Sequence, residues 1–130
     1  MSKILPRETA LSAPYWAGCR AGELRLQHCA ECEQFQFYPR TLCSHCGADD
    51  LHWQAVSGAG HIASFTVVRR GIAPAYVAPY AVALIDLHEG PRMMSSIDTD
   101  DPDSLRVGAP VQVSFADWGE DCRMPVFRLV

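Results

Sequence analysis

Cys29-Ala30-Glu31-Cys32, then ten intervening residues, then Cys43-Ser44-His45-Cys46-Gly47: this stretch decides how the N-terminal part of the chain folds. Each Cys-x-x-Cys puts two sulfurs on one tight turn, close enough to share an ion while backbone N–H groups of the turn stabilise the thiolates. Two such turns on adjacent hairpins complete a tetrahedral four-sulfur set. The spacing predicts one metal held by Cys29, Cys32, Cys43 and Cys46, rather than free thiols or disulfides. A redox Cys-x-x-Cys would open a helix after a strand and would leave the second pair unexplained. One structural Zn2+ is the expected ion, and iron in a rubredoxin-like centre is its competitor, because four-sulfur geometry suits both. Gly47 follows the second turn as in rubredoxin-type turns, whereas Glu33 holds that position after the first. Four thiolates leave no coordination position open, so the metal is expected to hold the fold and activate no water. His28 and His45 are read as neighbours of the site rather than ligands.

Short β-segments flank the cysteines. Leu24–His28 alternates apolar and polar residues, Phe35–Tyr38 is a second strand closed by Pro39, and Leu51–Trp53 is a third, which together predict a zinc ribbon over residues 24–56. Residues 1–23 form a leader with one helix: Ser12 as N-cap, Pro14 in the first turn, Gly22 as the stop. Tyr15, Trp16 and Cys19 share one face of that helix, which docks either on its own chain or on a partner.

Residues 57–130 read as all β. Strands are expected over His61–Val68, Tyr80–Leu87, Arg92–Ile97, Val111–Ala116 and Val126–Val130, with Tyr80–Leu87 apolar on both faces like a central strand. The Pro102–Val107 segment has room for one helical turn before Gly108. Five strands with one short helical insertion predict a small closed barrel of the OB type. A sandwich is the alternative, but the segment is short for seven strands. The fold class is therefore mainly β, with an N-terminal helix, a rubredoxin-like ribbon and a C-terminal OB barrel.

Charge and chemistry exclude several classes of function. The chain has 130 residues, 48% of them hydrophobic, and a formal net charge of −4, which argues against a large nucleic-acid footprint. No apolar run approaches the ~20 residues that cross a bilayer. The N-terminus MSKILPRETA has no signal-peptide h-region, so a cytoplasmic protein without a membrane partner is expected. Six cysteines in that compartment point to metal or catalysis rather than disulfides. Cys19 and Cys122 have no histidine at suggestive spacing and read as ordinary thiols. Asp98, Asp100, Asp101 and Asp103 lack the glycine and glutamate of a calcium loop and read as a solvated turn with capping aspartates. His61 and His88 lie at strand ends, and no Walker loop or GxGxxG occurs. No nucleophile, base and oxyanion set assembles, so the chain is not expected to be an enzyme.

The segment Arg69–Tyr80 links the first two barrel strands and is long and apolar behind two arginines. The loop after the first strand of an OB barrel borders the usual ligand face. Arg69 and Arg70 could meet phosphates while Ile72, Tyr76 and Val77 touch an apolar chain or partner. The plainer alternative is a loop folded over the barrel end.

Trp16, Gly22, Leu24 and Leu26 precede Cys29 and Cys32; Phe37-Tyr38-Pro39-Arg40 then leads to Cys43 and Cys46-Gly47. Gly58 and Gly60, Ser64-Phe65-Thr66-Val67-Val68, Pro79-Tyr80, Glu89-Gly90-Pro91-Arg92 and Gly108 with Pro110-Val111 follow. From about residue 13 onward the chain resembles the acyl-CoA-associated zinc-ribbon/OB-fold family, often described as thiolase accessory proteins. The resemblance implies a barrel and ribbon that bind a thiolase-fold protein or a thiolase-like aldolase, with the catalytic residues on that partner. It implies a non-catalytic subunit that holds the complex and can help position the CoA thioester, in lipid or steroid metabolism, with Trp16 and the Arg69–Tyr80 loop as contact surfaces. The alternative from another class is a small nucleic-acid-binding ribbon/OB protein, for which the sequence offers only Arg69 and Arg70 together.

Overall fold

Helix α1 (Ala13–Ala21) starts where Pro14 presets the first turn and ends at Gly22, whose φ of 81° suits a residue without a Cβ. There the Gly22 N–H donates to the Cys19 carbonyl (3.1 Å) and the Glu23 N–H to that of Gly18 (2.9 Å). Ser12 stands at the N-cap position but makes no side-chain cap; its Oγ accepts instead from the Thr9 N–H at 2.9 Å. The structure, a computed structural model, describes residues 3–119 and 121–130.

Three strands form the ribbon sheet: β1 (Leu24–Cys29), β2 (Phe35–Gln36) and β3 (Leu51–Val56), in the order β2-β1-β3. β2 is shorter than expected, and beyond it the Gln27 side chain rather than a backbone ladder holds the chain at Arg40. Gln27 Oε1 accepts from the Arg40 N–H (2.8 Å), and its Nε2 donates to the Arg40 carbonyl (2.9 Å). β3 is longer than expected, pairing with β1 from Leu24↔Val56 to Cys29↔Leu51.

Five strands close the barrel: β4 (Ala59–Val68), β5 (Tyr80–Leu87), β6 (Arg92–Ile97), β7 (Pro110–Gly119) and β8 (Cys122–Leu129). Their order is β4-β5-β6-β8-β7, with β7 returning to β4, and β6–β8 is the parallel pair. A short 3-10 turn, Pro102–Ser104, lies between β6 and β7. This is the OB-type barrel, with strands at both ends longer than the sequence suggested. A register shift between Ile62 and Ser64 bends β4 so that one strand pairs with both β5 and β7. Gly60 allows the crossing, since a Cβ there would stand 2.5 Å from the Asp86 carbonyl oxygen.

On β5, Ala81, Ala83, Ile85 and Leu87 point into the core while the residues between them are half-buried. The core runs across all three parts of the chain: Tyr15 and Cys19 of α1, Leu24 and Leu26 of β1, and Ile62, Ile85, Val111 and Phe127 of the barrel. α1 packs on both β1 and β8, so the Tyr15 and Cys19 face is covered by this chain rather than offered to a partner. The aspartates also differ from expectation. Asp101 makes no side-chain cap, while Asp98 and Asp103 pair with Arg128 and Arg69. No helix among the described residues is long and apolar enough to cross a membrane.

Phe127 is fully buried and sits at the seam, opposite Ile97 of β6 and Val113 of β7. Phe127→Ala should cost about 3–5 kcal/mol in denaturant unfolding. Met94→Ala on the exposed face of β6 (68% exposed) should stay within about 0.5 kcal/mol. Equal, small effects would mean that the seam does not carry the barrel.

Candidate metal centre and barrel-end surface

The sulfurs of Cys29, Cys32, Cys43 and Cys46 all lie within 4.8 Å of one another. Cys29 and Cys46 stand 3.7 Å apart and Cys32 and Cys43 3.6 Å, close to the edge of about 3.8 Å that a tetrahedron with Zn–S bonds of about 2.3 Å requires. Backbone turns set this up. The Glu33 N–H donates to the Cys29 carbonyl (2.9 Å) and the Gly47 N–H to the Cys43 carbonyl (2.9 Å). The His45 N–H points at Cys43 Sγ (3.3 Å). Both turns need a left-handed residue after the second cysteine: Gly47 has φ 80°, and Glu33 adopts φ 59° in the same place. The glycine missing from the first turn thus changes the strain rather than the geometry.

Four close thiols do not ionise independently. Desolvation acts to raise Cys43, but N–H donors from Cys46 and His45 outweigh it and bring the thiol down to about 6. Desolvation instead pushes Cys32 up to about 12. A dication reconciles the set, because it favours the thiolate at every position. The residues present therefore fit a bound Zn2+, which would supply charge and geometry rather than a reactive water.

A buried pair the sequence reading missed supports the second turn. Gln36 Nε2 donates to Gln27 Oε1 (2.7 Å), and Gln36 Oε1 accepts from the Ser44 N–H (2.7 Å). Gln27 is buried although it falls at a polar position of the Leu24–His28 alternation, so nothing in that pattern marked it. The His28 ring packs at a tilt against Phe35 (4.6 Å between centres), and His45 Nε2 contacts the Phe35 carbonyl (3.1 Å), so neither joins the sulfurs. Cys19 is buried and pushed up to about 12 by desolvation, and Cys122 is half-buried.

The remaining candidates lie on two neighbouring surfaces. In the β4–β5 loop, Ile72 and Val77 are 78% and 79% exposed. Arg70 is exposed too, whereas both Arg69 Nη atoms bond to the Asp103 carboxylate (2.5 and 3.3 Å). Tyr76 packs edge-on against Trp118 at the end of β7 (6.2 Å), a residue that sequence reasoning did not single out. Gly71 makes the loop fold back: a Cβ there would meet the Tyr76 carbonyl at 2.1 Å. Trp16 is half-buried against Tyr15 (5.0 Å) and lines a cleft of about 230 Å³ with Leu5, Pro6 and Arg20.

Residues 3–8 connect the two surfaces. Lys3 Nζ lies 5.2 Å from the Trp118 ring centre, the Ile4 N–H donates to Tyr76 Oη (2.9 Å), and Glu8 pairs with Arg20 (3.3 Å). Exposed contacts of these kinds contribute about 1 kcal/mol each. Fixing the backbone costs about 1–2 kcal/mol per residue.

Purified protein should carry about one zinc per chain, and Cys32→Ser or Cys46→Ser should lower both metal content and melting temperature. Gly47→Ala meets no neighbour within 4 Å, so it should keep the metal and lose about 1–2 kcal/mol through backbone strain alone. Metal loss with an unchanged melting temperature would contradict a structural role.

Comparison with known proteins agrees with both halves of the chain. Residues 16–52 match the family model for the ChsH2 rubredoxin-like zinc ribbon domain, and residues 53–116 match that for the ChsH2 C-terminal OB-fold domain. A DUF35 domain-containing scaffold protein of Methanothermobacter thermautotrophicus is 35% identical over 72% of this chain and 74% of its own length. A probable enoyl-CoA hydratase alpha subunit of Thermomonospora curvata is 31% identical over 90% of this chain. The 3-oxo-4,17-pregnadiene-20-carboxyl-CoA hydratase alpha subunit of Mycobacterium tuberculosis is 29% identical over 87%. This chain spans only 37% of the length of either hydratase subunit. In the solved structure of the Ltp2-ChsH2(DUF35) aldolase, one chain superposes with a TM-score of 0.87 at 30% identity, covering 95% of this chain and 98% of that one. Together these matches show that the chain belongs to the ChsH2/DUF35 family of rubredoxin-like zinc-ribbon and OB-fold proteins.

Proposed function

We propose that the chain is a non-catalytic accessory subunit that binds a thiolase-like aldolase, or a related thiolase-fold enzyme, and helps position its acyl-CoA thioester. One observation carries this reading: the match along almost the whole of both chains to a component of the Ltp2-ChsH2(DUF35) aldolase. The scaffold name of the archaeal relative supports it. The hydratase names belong to proteins of which this chain spans 37%, so hydratase chemistry is not carried over. The sulfur site supports the reading as well, since a four-thiolate zinc has no position for a substrate.

Exposed Ile72 and Val77 are the residues proposed to meet the partner, because water solvates such aliphatic patches poorly and burial at an interface removes that cost. Arg70 is proposed to face CoA phosphates; Arg69 does so only by exchanging Asp103 for them. The nucleic-acid reading loses support from the charge pattern. Arg20, Arg25, Arg69, Arg92 and Arg128 each pair with a carboxylate, which leaves no continuous basic track through them.

The test is binding to an Ltp2-type aldolase by calorimetry, with turnover of the complex measured alongside. An Ile72→Asp, Val77→Asp double variant should keep its zinc and weaken binding at least about tenfold, which corresponds to about 1.4 kcal/mol. Unchanged affinity would remove the loop from the interface. Absence of any complex, together with steeply salt-dependent binding of single-stranded DNA, would replace the proposal with the nucleic-acid reading.

A further inference from the structure

The N-terminal arm before α1 is fixed by contacts of an unusual kind for a folded segment. Its anchors are an ammonium over an indole, one exposed hydrogen bond and an ion pair whose side chains are 36% and 43% exposed. Its aliphatic side chains add little burial: Ile4 is 75% exposed and Leu5 37%. A segment held by apolar packing would turn Ile4 inward. This one turns it to solvent, so three tethers of about 1 kcal/mol each and the contacts of Leu5 and Pro6 beside Trp16 stand against about 1–2 kcal/mol of backbone entropy per fixed residue, which leaves the closed arm little net stability. Such a segment opens and closes.

What it covers gives the motion a consequence. Closed, the arm holds Lys3 over Trp118 and ties its own backbone to Tyr76, the residue that joins the β4–β5 loop to the end of β7. Leu5, Pro6 and Glu8 form one wall of the cleft against Trp16. Lifting the arm would therefore uncover the Tyr76–Trp118 pair and open the Trp16 cleft in one movement. We propose that residues 3–8 are a reversible strap that closes over the loop end of the barrel in the free chain and lifts when the partner seats. The second half rests on the accessory-subunit reading; the first does not.

Amide hydrogen exchange on the full zinc-loaded chain tests the strap directly, because the Ile4 N–H is itself one of the tethers. In the free chain this amide should show slight protection, on the order of tenfold, far below that of core barrel amides such as Ile85. Tyr76→Phe removes the acceptor and keeps the ring, so it should abolish that protection while zinc content and barrel exchange stay unchanged. Lys3→Met should reduce it independently. Protection of Ile4 as strong as in the barrel strands would make the arm a fixed part of the fold. Protection absent from the parent chain, or untouched by Tyr76→Phe, would also overturn the strap. Adding an Ltp2-type aldolase should speed Ile4 exchange while slowing residues 72–77; greater Ile4 protection in the complex would contradict lifting. Failure to bind the aldolase would count against the accessory reading and the lifting that rests on it, while the free-chain measurement, which needs no partner, decides the strap itself.

Discussion

Four thiol groups brought to within 4.8 Å of one another are the constraint on which the ribbon depends. Without a cation, ionising one opposes ionising the next. With a dication, the same crowding becomes a cross-link between Cys29 and Cys32 at one turn and Cys43 and Cys46 at the other. Those turns bracket the two-residue strand β2, which has little hydrogen bonding of its own. The buried Gln27 and Gln36 amides then fix the intervening chain, and β1 carries this order into Leu24 and Leu26, which belong to the same core as Ile85 and Phe127. Metal geometry and barrel packing are thus joined through one strand and one helix.

That coupling suits an accessory role. A small barrel with a rigid ribbon at one side presents loops from a fixed base, and the chemistry can then belong to another protein. The β4–β5 loop is the feature most exposed to such a use. Its backbone folds on itself at Gly71, its Tyr76 ring rests on Trp118, and Ile72 and Val77 stand outward. The hydratase subunits of which this chain spans 37% show that the same unit also occurs within longer proteins, consistent with a module whose function depends on what it is attached to.

The four-sulfur cluster was legible because cysteine spacing encodes it locally: the turn that brings two sulfurs together lies between them. β5 and β6 were legible to the residue, since Pro79 precedes the apolar run of β5 and the turn Glu89-Gly90-Pro91 separates it from β6. The edges of β2, β3, β7 and β8 were not. Partners distant in the sequence settle them, as when Ala55 and Val56 extend β3 by pairing with Arg25 and Leu24. The helix face was ambiguous for the same reason, because only the folded β1 and β8 show what covers Tyr15 and Cys19. Trp118 and the Lys3–Ile4 arm were not visible at all, since nothing local marks a tether between residue 4 and residue 76. Aspartates read as caps became ion-pair partners once the fold set Arg69 and Arg128 opposite them.

X-ray absorption at the metal edge tests the central claim most directly, because it reports both the element and its ligands in the folded chain. A closed structural site predicts a zinc edge with a single shell of four sulfurs at about 2.3 Å and no nitrogen or oxygen neighbour. An iron edge would contradict the choice of metal. A zinc shell containing oxygen or nitrogen at about 2.0–2.2 Å would contradict closure, and with it the assignment of the metal to structure rather than chemistry.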